Sequence, residues 1–389
     1  MRKNGVNRNL TKIEGGISAV DGFSAGACNC GICASSPDIA VVLADCRCDA
    51  AALYTPSEQS GASIEVSKKH LKDGLARAVF INGGIANVFL PHGEKLADAI
   101  CDSVGKTFGI IKEDVLISSG GKIGGDLSFS NIEKGIKTLS SCVGTTAENI
   151  ASVTAAVSSQ DLQAEQIAYS FEIGDFPCKI GALYKGTGLV LLVTNVNISS
   201  KMLKSALLSQ ARDSLCQVDV GYVSTPNDAI FVLANGKAGN SRIDCTDTEY
   251  KKFVGAFGLV LTEISKAVAR KRTGKLFCCE VVGAKSKQIA RETAKGLVGI
   301  RSIMNSFSRG ETDIESIVYF LTGRINEVCF EQIKIALRGQ AEHLVLLEDG
   351  KKNLIAEKII MNLLSSNEIY LEIDLGMGNY RSVAYASRD

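Results

Sequence analysis

Lys185-Gly186-Thr187-Gly188-Leu189 runs without interruption into Val190-Leu191-Leu192-Val193-Thr194-Asn195. The apolar run has the length of a buried β-strand. The two glycines ahead of it let the backbone turn tightly. The lysine beside them brings an ammonium to the mouth of the strand, where it suits a carboxylate or a developing oxyanion. An isolated Lys-Gly-x-Gly is most often only a turn entering a strand. Its meaning therefore depends on its neighbours.

Working outward, residues 178–183 read as the strand that delivers the chain to Lys185. Residues 199–216 read as a helix with an N-cap serine. Further strands are predicted over 39–44, 76–81, 115–118, 150–157, 229–234, 276–282, 333–337, 343–347 and 369–375. Residues 50–54 are expected to be the hairpin partner of 39–44. Helical periodicity marks 92–108, 285–305 and 357–364. A capping box, Thr246-Asp247-Thr248-Glu249, opens a long helix to about residue 271. The pattern predicts an α+β (α/β) protein, sheets covered by helices, in two intimate domains. Two strands end in glycine-rich loops: Asn82-Gly83-Gly84-Ile85-Ala86-Asn87, and Ser119-Gly120-Gly121-Lys122-Ile123-Gly124-Gly125. The second could present backbone N–H groups to an anion or simply be a surface loop. Together with Lys185 it is expected to border one pocket for a small anion.

Composition narrows the partners. The chain has 389 residues, 46% hydrophobic and 22% charged, enough for a large core. Its 43 basic and 42 acidic residues leave a formal net charge of +1, with no block of like charge, which speaks against nucleic acid. No apolar stretch is long enough to span a membrane. Met1-Arg2-Lys3-Asn4-Gly5 is followed by no apolar segment, so no signal peptide is predicted and a cytoplasmic location is expected. The thirteen cysteines fit reduced thiols better than a disulfide framework. Cys28, Cys30, Cys33, Cys46 and Cys48 fall close together and could supply thiolates to zinc or an iron–sulfur cluster. Their spacing matches neither pattern, and no histidine is near. The expectation is free thiols, no stoichiometric metal and no cofactor.

The strand and loop punctuation resembles the ornithine acetyltransferase family, the bifunctional enzymes of arginine biosynthesis. Asp21-Gly22-Phe23, Ala25-Gly26 and Asp38-Ile39-Ala40 are similar to the family's opening Gly-Phe…Ala-Gly…Asp-Leu-Ala. Asn82, Gly84, Ala86 and Asn87 match its Asn-Ser-Gly-Asn-Ala-Asn loop. Ser119, Gly121, Ile123 and Gly124 match its Ser-Thr-Gly-Val-Ile-Gly. Lys185-Gly186-Thr187-Gly188 is similar to its Lys-Gly-Ser-Gly-Met. Asn227, Asp228 and Leu233-Ala234-Asn235-Gly236 resemble its Ser-Thr-Asn-Asp…Leu-Ala-Asn-Gly, and Asp374-Leu375-Gly376-x-Gly378 its C-terminal Asp-Leu-Gly-x-Gly. The resemblance implies the fold shared with self-processing aminopeptidases. It also implies a division into residues 1–188 and 189–389, the equivalents of the family's two chains. In that family a precursor cuts itself before an internal threonine, whose hydroxyl then carries acetyl from N-acetylornithine to glutamate.

The same resemblance exposes departures. The family's Pro-Asn-Met-Ala-Thr segment, with its nucleophile, has no counterpart between Leu189 and Leu191. Gly120 replaces the oxyanion threonine, leaving Gly121. Ser158-Ser159-Gln160-Asp161 aligns with the family's Thr-Thr-Asp substrate stretch, so Ser159 joins Lys185 as a substrate-binding candidate. Arg270-Lys271-Arg272-Thr273-Gly274-Lys275 stands where the family has Asp-Gly-Glu-Gly, and Asp-Pro-Asn-Trp-Gly-Arg is missing near residues 300–309. Thr187 and Thr194 are the remaining candidates for a nucleophile. The expectation is a relative that keeps the fold but neither cleaves itself nor transfers acetyl. It would bind a small amino-acid-like ligand and form a homo-oligomer or pair with an active homologue. The alternative is an N-acyltransferase with an atypical threonine.

Overall fold

The run after the glycine turn is a strand, Leu189–Thr194, with all six residues buried. The structure is a computed structural model, and it describes residues 10–387 apart from 126, 160–161, 222–223, 272, 327–328 and 341.

The strands in chain order are β1 (Thr11–Ile13), β2 (Phe23–Cys28), β3 (Ile39–Tyr54), β4 (Leu75–Asn82), β5 (Val115–Ser119), β6 (Glu165–Ile173), β7 (Phe176–Lys185), β8 (Leu189–Thr194), β9 (Val218–Asp219), β10 (Ala229–Ala234), β11 (Leu276–Ala284), β12 (Lys334–Arg338), β13 (His343–Glu348), β14 (Lys351–Lys352), β15 (Glu368–Asp374) and β16 (Tyr380–Ser387). The helices are α1 (Ala62–His70), α2 (Gly93–Phe108), α3 (Phe129–Leu139), α4 (Ala147–Val157), α5 (Ser200–Arg212), α6 (Thr248–Arg270), α7 (Lys287–Val298), α8 (Arg301–Ser308), α9 (Ile314–Arg324) and α10 (Glu357–Leu364). The predicted α+β class is what the chain adopts.

Two compact units contain these elements, Met1–Ser209 with Ser224–Val260, and Gln210–Val223 with Leu261–Asp389. The first holds a sheet in the order β1-β6-β7-β8-β10-β3-β4-β5, with β2 paired to β3. Alternate residues of β3, β4 and β5 enter two different cores, as a period of two requires. Ala40, Val42, Val79, Ile81 and Leu116 pack with Val153, Ala156 and Val157 of α4. Ile39, Val41, Ala78, Phe80, Val115 and Ile117 pack with α1, α2 and α3. A sheet covered on both faces reads as continuous apolar runs, the signal that marks these strands. The second unit holds a sheet in the order β14-β13-β12-β15-β11-β16-β9. There Phe277, Cys279, Ile335, Leu371 and Ile373 pack with α7 to α10. The boundary expected between residues 188 and 189 lies in the turn joining β7 and β8, inside the first unit.

Two predicted elements need correction. Residues 39–44 and 50–54 are not a hairpin but one sixteen-residue strand, β3. Its polar middle looks like a turn in sequence, yet partners satisfy it in place. Arg47 Nε donates to both oxygens of buried Asp114, at 2.8 and 2.9 Å, and Arg242 bonds Asp49. The ladder to β4 shifts register between Leu43 and Cys48, absorbing the bend. Residues 150–157 form the end of helix α4, not a strand. Thr146 and Asn149 build a capping box there, and Val153, Ala156 and Val157 bury one face. A start signal and an i, i+3, i+4 stripe override the β-branched composition.

Candidate functional site

β4 and β5 are parallel neighbours with Asn82 opposite Ser119, so their loops leave the sheet side by side. Both residues are buried and bonded: Ser119 Oγ donates to Asn82 Oδ1 at 2.6 Å, and Asn82 Nδ2 donates to the Ile85 carbonyl at 2.8 Å. The pairing continues beyond the strands. The Gly120 N–H donates to the Asn82 carbonyl, the Lys122 N–H to that of Gly84, and the Ala86 N–H to that of Lys122. Gly121 holds φ +133° with the Gly84 backbone directly against it, so neither conformation nor space admits a side chain. Gly120 faces open space. Glycine is therefore required at 121 and optional at 120.

Asn227 ties this pair of loops to the loop that leads into β10. Its Nδ2 donates to the Ala86 carbonyl at 2.5 Å, and its Oδ1 accepts from Ser63 Oγ at 3.3 Å. The next residue, Asp228, faces the turn between β7 and β8. A Cβ on Gly188 would come within 3.3 Å of Asp228 Oδ1, and the Gly188 carbonyl accepts the Ala229 N–H at 3.0 Å. Thr225 donates twice to the Asp228 carboxylate, from Oγ1 at 2.5 Å and from N–H at 3.0 Å. Burial nevertheless pushes the Asp228 carboxyl above the usual carboxylate range, with the Thr225 bonds opposing. Three stretches singled out in sequence, at 82–87, 119–122 and 185–188, are thus linked through two consecutive residues of a fourth.

The turn itself is short. Lys185 lies opposite Leu189 across the hairpin, and Gly186 to Gly188 make the connection with Gly186 at φ +56°. Lys185 and Thr187 are half-buried. Thr194 is only 1% exposed. Its hydroxyl donates to the Lys179 carbonyl at 2.7 Å and accepts the Val196 N–H at 3.3 Å. Ser159 is exposed, and its N–H and hydroxyl both reach the Leu162 carbonyl. Gln160, Asp161 and Arg272 lie outside the described residues.

The five clustered cysteines go to separate partners. Cys28 Sγ donates to the Gly135 carbonyl, Cys46 Sγ to that of Asn235, and Cys48 Sγ to that of Cys46. Cys33 Sγ rests beside Gly84. Burial pushes the Cys28 thiol up to about 11. Burial, then a hydrogen bond to Asp38, pushes Cys30 up to about 12. Among the described residues no three His, Cys, Asp or Glu side chains are grouped to hold a metal ion.

Sequence reasoning misses the backbone between Asn87 and His92. Asn87, Phe89 and His92 hold positive φ angles of 46°, 57° and 60°. Left-handed conformations in non-glycine residues cost energy and gather at functional sites. Asn87 Oδ1 and the Tyr54 hydroxyl are also buried with no protein partner. The Asn- and Gly-rich composition of 82–87 is the available signal. It marks a loop but not which residues are strained.

Residues 24–388 match the model of the ArgJ family. The chain is similar to the arginine biosynthesis bifunctional protein ArgJ of Bacillus subtilis (strain 168). The two are 28% identical over 383 residues, 95% of this chain and 92% of that protein. Identity to the arginine biosynthesis bifunctional protein ArgJ 1 of Nostoc sp. is also 28%, over 87% of this chain and 84% of that protein. The crystal structure of arginine biosynthesis bifunctional protein ArgJ from Bacillus halodurans is 26% identical, with a TM-score of 0.44, over 46% of this chain and 95% of that one. No helix among the described residues is long and apolar enough to cross a membrane.

Proposed function

From the premise that this chain belongs to the ArgJ family, we propose that it keeps a small-ligand site on the family scaffold without the family's threonine chemistry. The observation that carries this is the β7–β8 turn. Lys185 pairs with Leu189, and three residues close the hairpin. No length of chain remains there for a cleavage segment and its nucleophile. Thr194 is spent on the sheet, since its hydroxyl bonds Lys179 and Val196. At the 119–122 loop Gly120 offers no hydroxyl, so a tetrahedral oxyanion would meet the Gly121 N–H alone. Loss of one such donor costs roughly 10²–10³ in rate.

The names of the relatives place them in arginine biosynthesis, and the site suits a ligand of that chemistry, a small amino acid. Its carboxylate would meet the Lys185 ammonium and the Gly121 N–H, with Ser159 near the rim. Its ammonium would face Asp228. The ligand would bind without being acylated, in the cytoplasm, in a chain that self-associates or pairs with an active homologue.

One observation favours a second reading, an N-acyltransferase that uses Thr187. Asp228, a carboxyl held above its usual range, lies beside the turn that carries this hydroxyl. Such a group is suited to take a proton. Calorimetric titration with ornithine, N-acetylornithine and glutamate tests the main reading. Binding of at least one, lost in Lys185→Met, is expected. No heat with any of the three would remove the proposed ligand class.

A further inference from the structure

Cys30-Gly31-Ile32-Cys33 is a stretch of the cysteine cluster that the ligand site leaves unexplained. We infer that Cys30 and Cys33 form a reversible dithiol–disulfide site, oxidised by exchange with a small-molecule disulfide of the glutathione class, and that closing the bond shifts the loop at Gly83 and Gly84.

The geometry rests on Asp38, which is fully buried. Its two carboxylate oxygens accept the N–H groups of Cys30 and Cys33, at 2.7 and 2.8 Å. One carboxylate thus anchors the backbone nitrogens of both residues, three positions apart in the chain. Gly31, at φ +94°, makes the turn between them. Both cysteines are partly exposed, so a small oxidant reaches them.

The same residue fixes the ligand loop. The Asp38 carbonyl accepts the Gly83 N–H at 2.7 Å. Cys33 Sγ and Ile32 Cγ2 pack on Gly84, where a Cβ would come within 3.2 and 2.6 Å of them. Gly84 in turn accepts the Lys122 N–H and backs Gly121. Cys30 lies on the other side, against Gly135, with Asp38 near its thiol. Joining the sulfurs draws Cys33 Sγ off Gly84, so the redox state is felt where Gly121 is held.

The exchange balances in two steps. The Cys33 thiolate attacks one sulfur of oxidised glutathione. The S–S bond breaks, and one glutathione leaves as thiolate. Cys30 then loses its proton to the adjacent Asp38 or to water. Its sulfur attacks Cys33 Sγ and displaces the second glutathione. The protein loses two hydrogens, and one glutathione disulfide becomes two glutathiones. Cys30 is the slower attacker in free exchange because burial and Asp38 hold it as a thiol. Proximity compensates in the second step.

The test uses the full-length reduced chain in glutathione buffers of increasing oxidised fraction, quenched, alkylated and mapped by peptide mass. The Cys30–Cys33 peptide should lose two hydrogens before any other cysteine reacts. Cys30→Ser should instead accumulate one glutathione on Cys33. Amide exchange over 83–86 and 120–122 should change on oxidation in the wild type and not in Cys33→Ser. Two results overturn the site: Cys30 and Cys33 still alkylated after other cysteines have oxidised, or a glutathione adduct that persists in the wild type. Unchanged amide exchange in the disulfide form overturns the link to the loop. None of these readouts uses activity or ligand binding, so they stand apart from the proposed function.

Discussion

Thr194 Oγ1 donates a 2.7 Å hydrogen bond to the backbone carbonyl of Lys179, one residue from its register partner Ile180. A buried hydroxyl bonded in this way stabilises the β7–β8 pair. Thr194→Val keeps the shape and leaves the Lys179 carbonyl without that partner. It should lower unfolding free energy by about 1–3 kcal/mol, read by urea denaturation, with the mass of the purified chain otherwise unchanged.

Neighbouring glycines should respond in opposite ways. Gly121→Ala places a Cβ in a left-handed backbone against Gly84, and a large loss of stability or of soluble protein is expected. Gly120→Thr points into open space and should shift the thermal midpoint little. It restores the family residue, and on the proposed reading, in which no nucleophile accompanies it, it should not create acetyl exchange.

Asn227 carries another prediction. Asn227→Ala removes the donor to Ala86 and the acceptor for Ser63, both within the interior. Amide exchange should accelerate over 83–87 and over 225–229 together. Acceleration of only one segment would show that Asn227 does not couple the loops.

The pH dependence comes from Asp228, whose folded pKa is raised by burial. The native state then holds this proton more tightly than the unfolded chain. Its contribution to stability is present in acid and is lost as pH rises from the ordinary carboxylate value, about 3.9, through the folded one. Asp228→Asn should abolish that fall, seen as a flatter stability profile over this window.

Much of the fold is legible in sequence because buried strands announce themselves. β4, β5, β8 and β10 are apolar runs ending in glycine, serine or asparagine loops, and each is predicted within a residue or so of its bounds. β3 reads as a hairpin because Asp45, Arg47 and Asp49 look like a turn until Asp114 and Arg242 are seen to pair with Arg47 and Asp49. α4 reads as a strand because its cap lies outside the window that β-branched residues dominate. β16 escapes notice because Tyr380, Arg381 and Ser382 carry no apolar pattern, although β11 pairs with the strand they begin. The loops at 82–87, 119–125 and 185–188 are legible as punctuation. The bond from Asn227 to Ala86 and the packing of Asp228 on Gly188 are not, since 141 residues separate the first pair.

The most direct test of the central claim is intact mass of the purified chain, taken with an acetyl-exchange assay between N-acetylornithine and glutamate. The account predicts one uncut species of 41.2 kDa and exchange at background. Two fragments split near Leu189 with a new N-terminal threonine, or exchange abolished by Thr187→Ala, would contradict it.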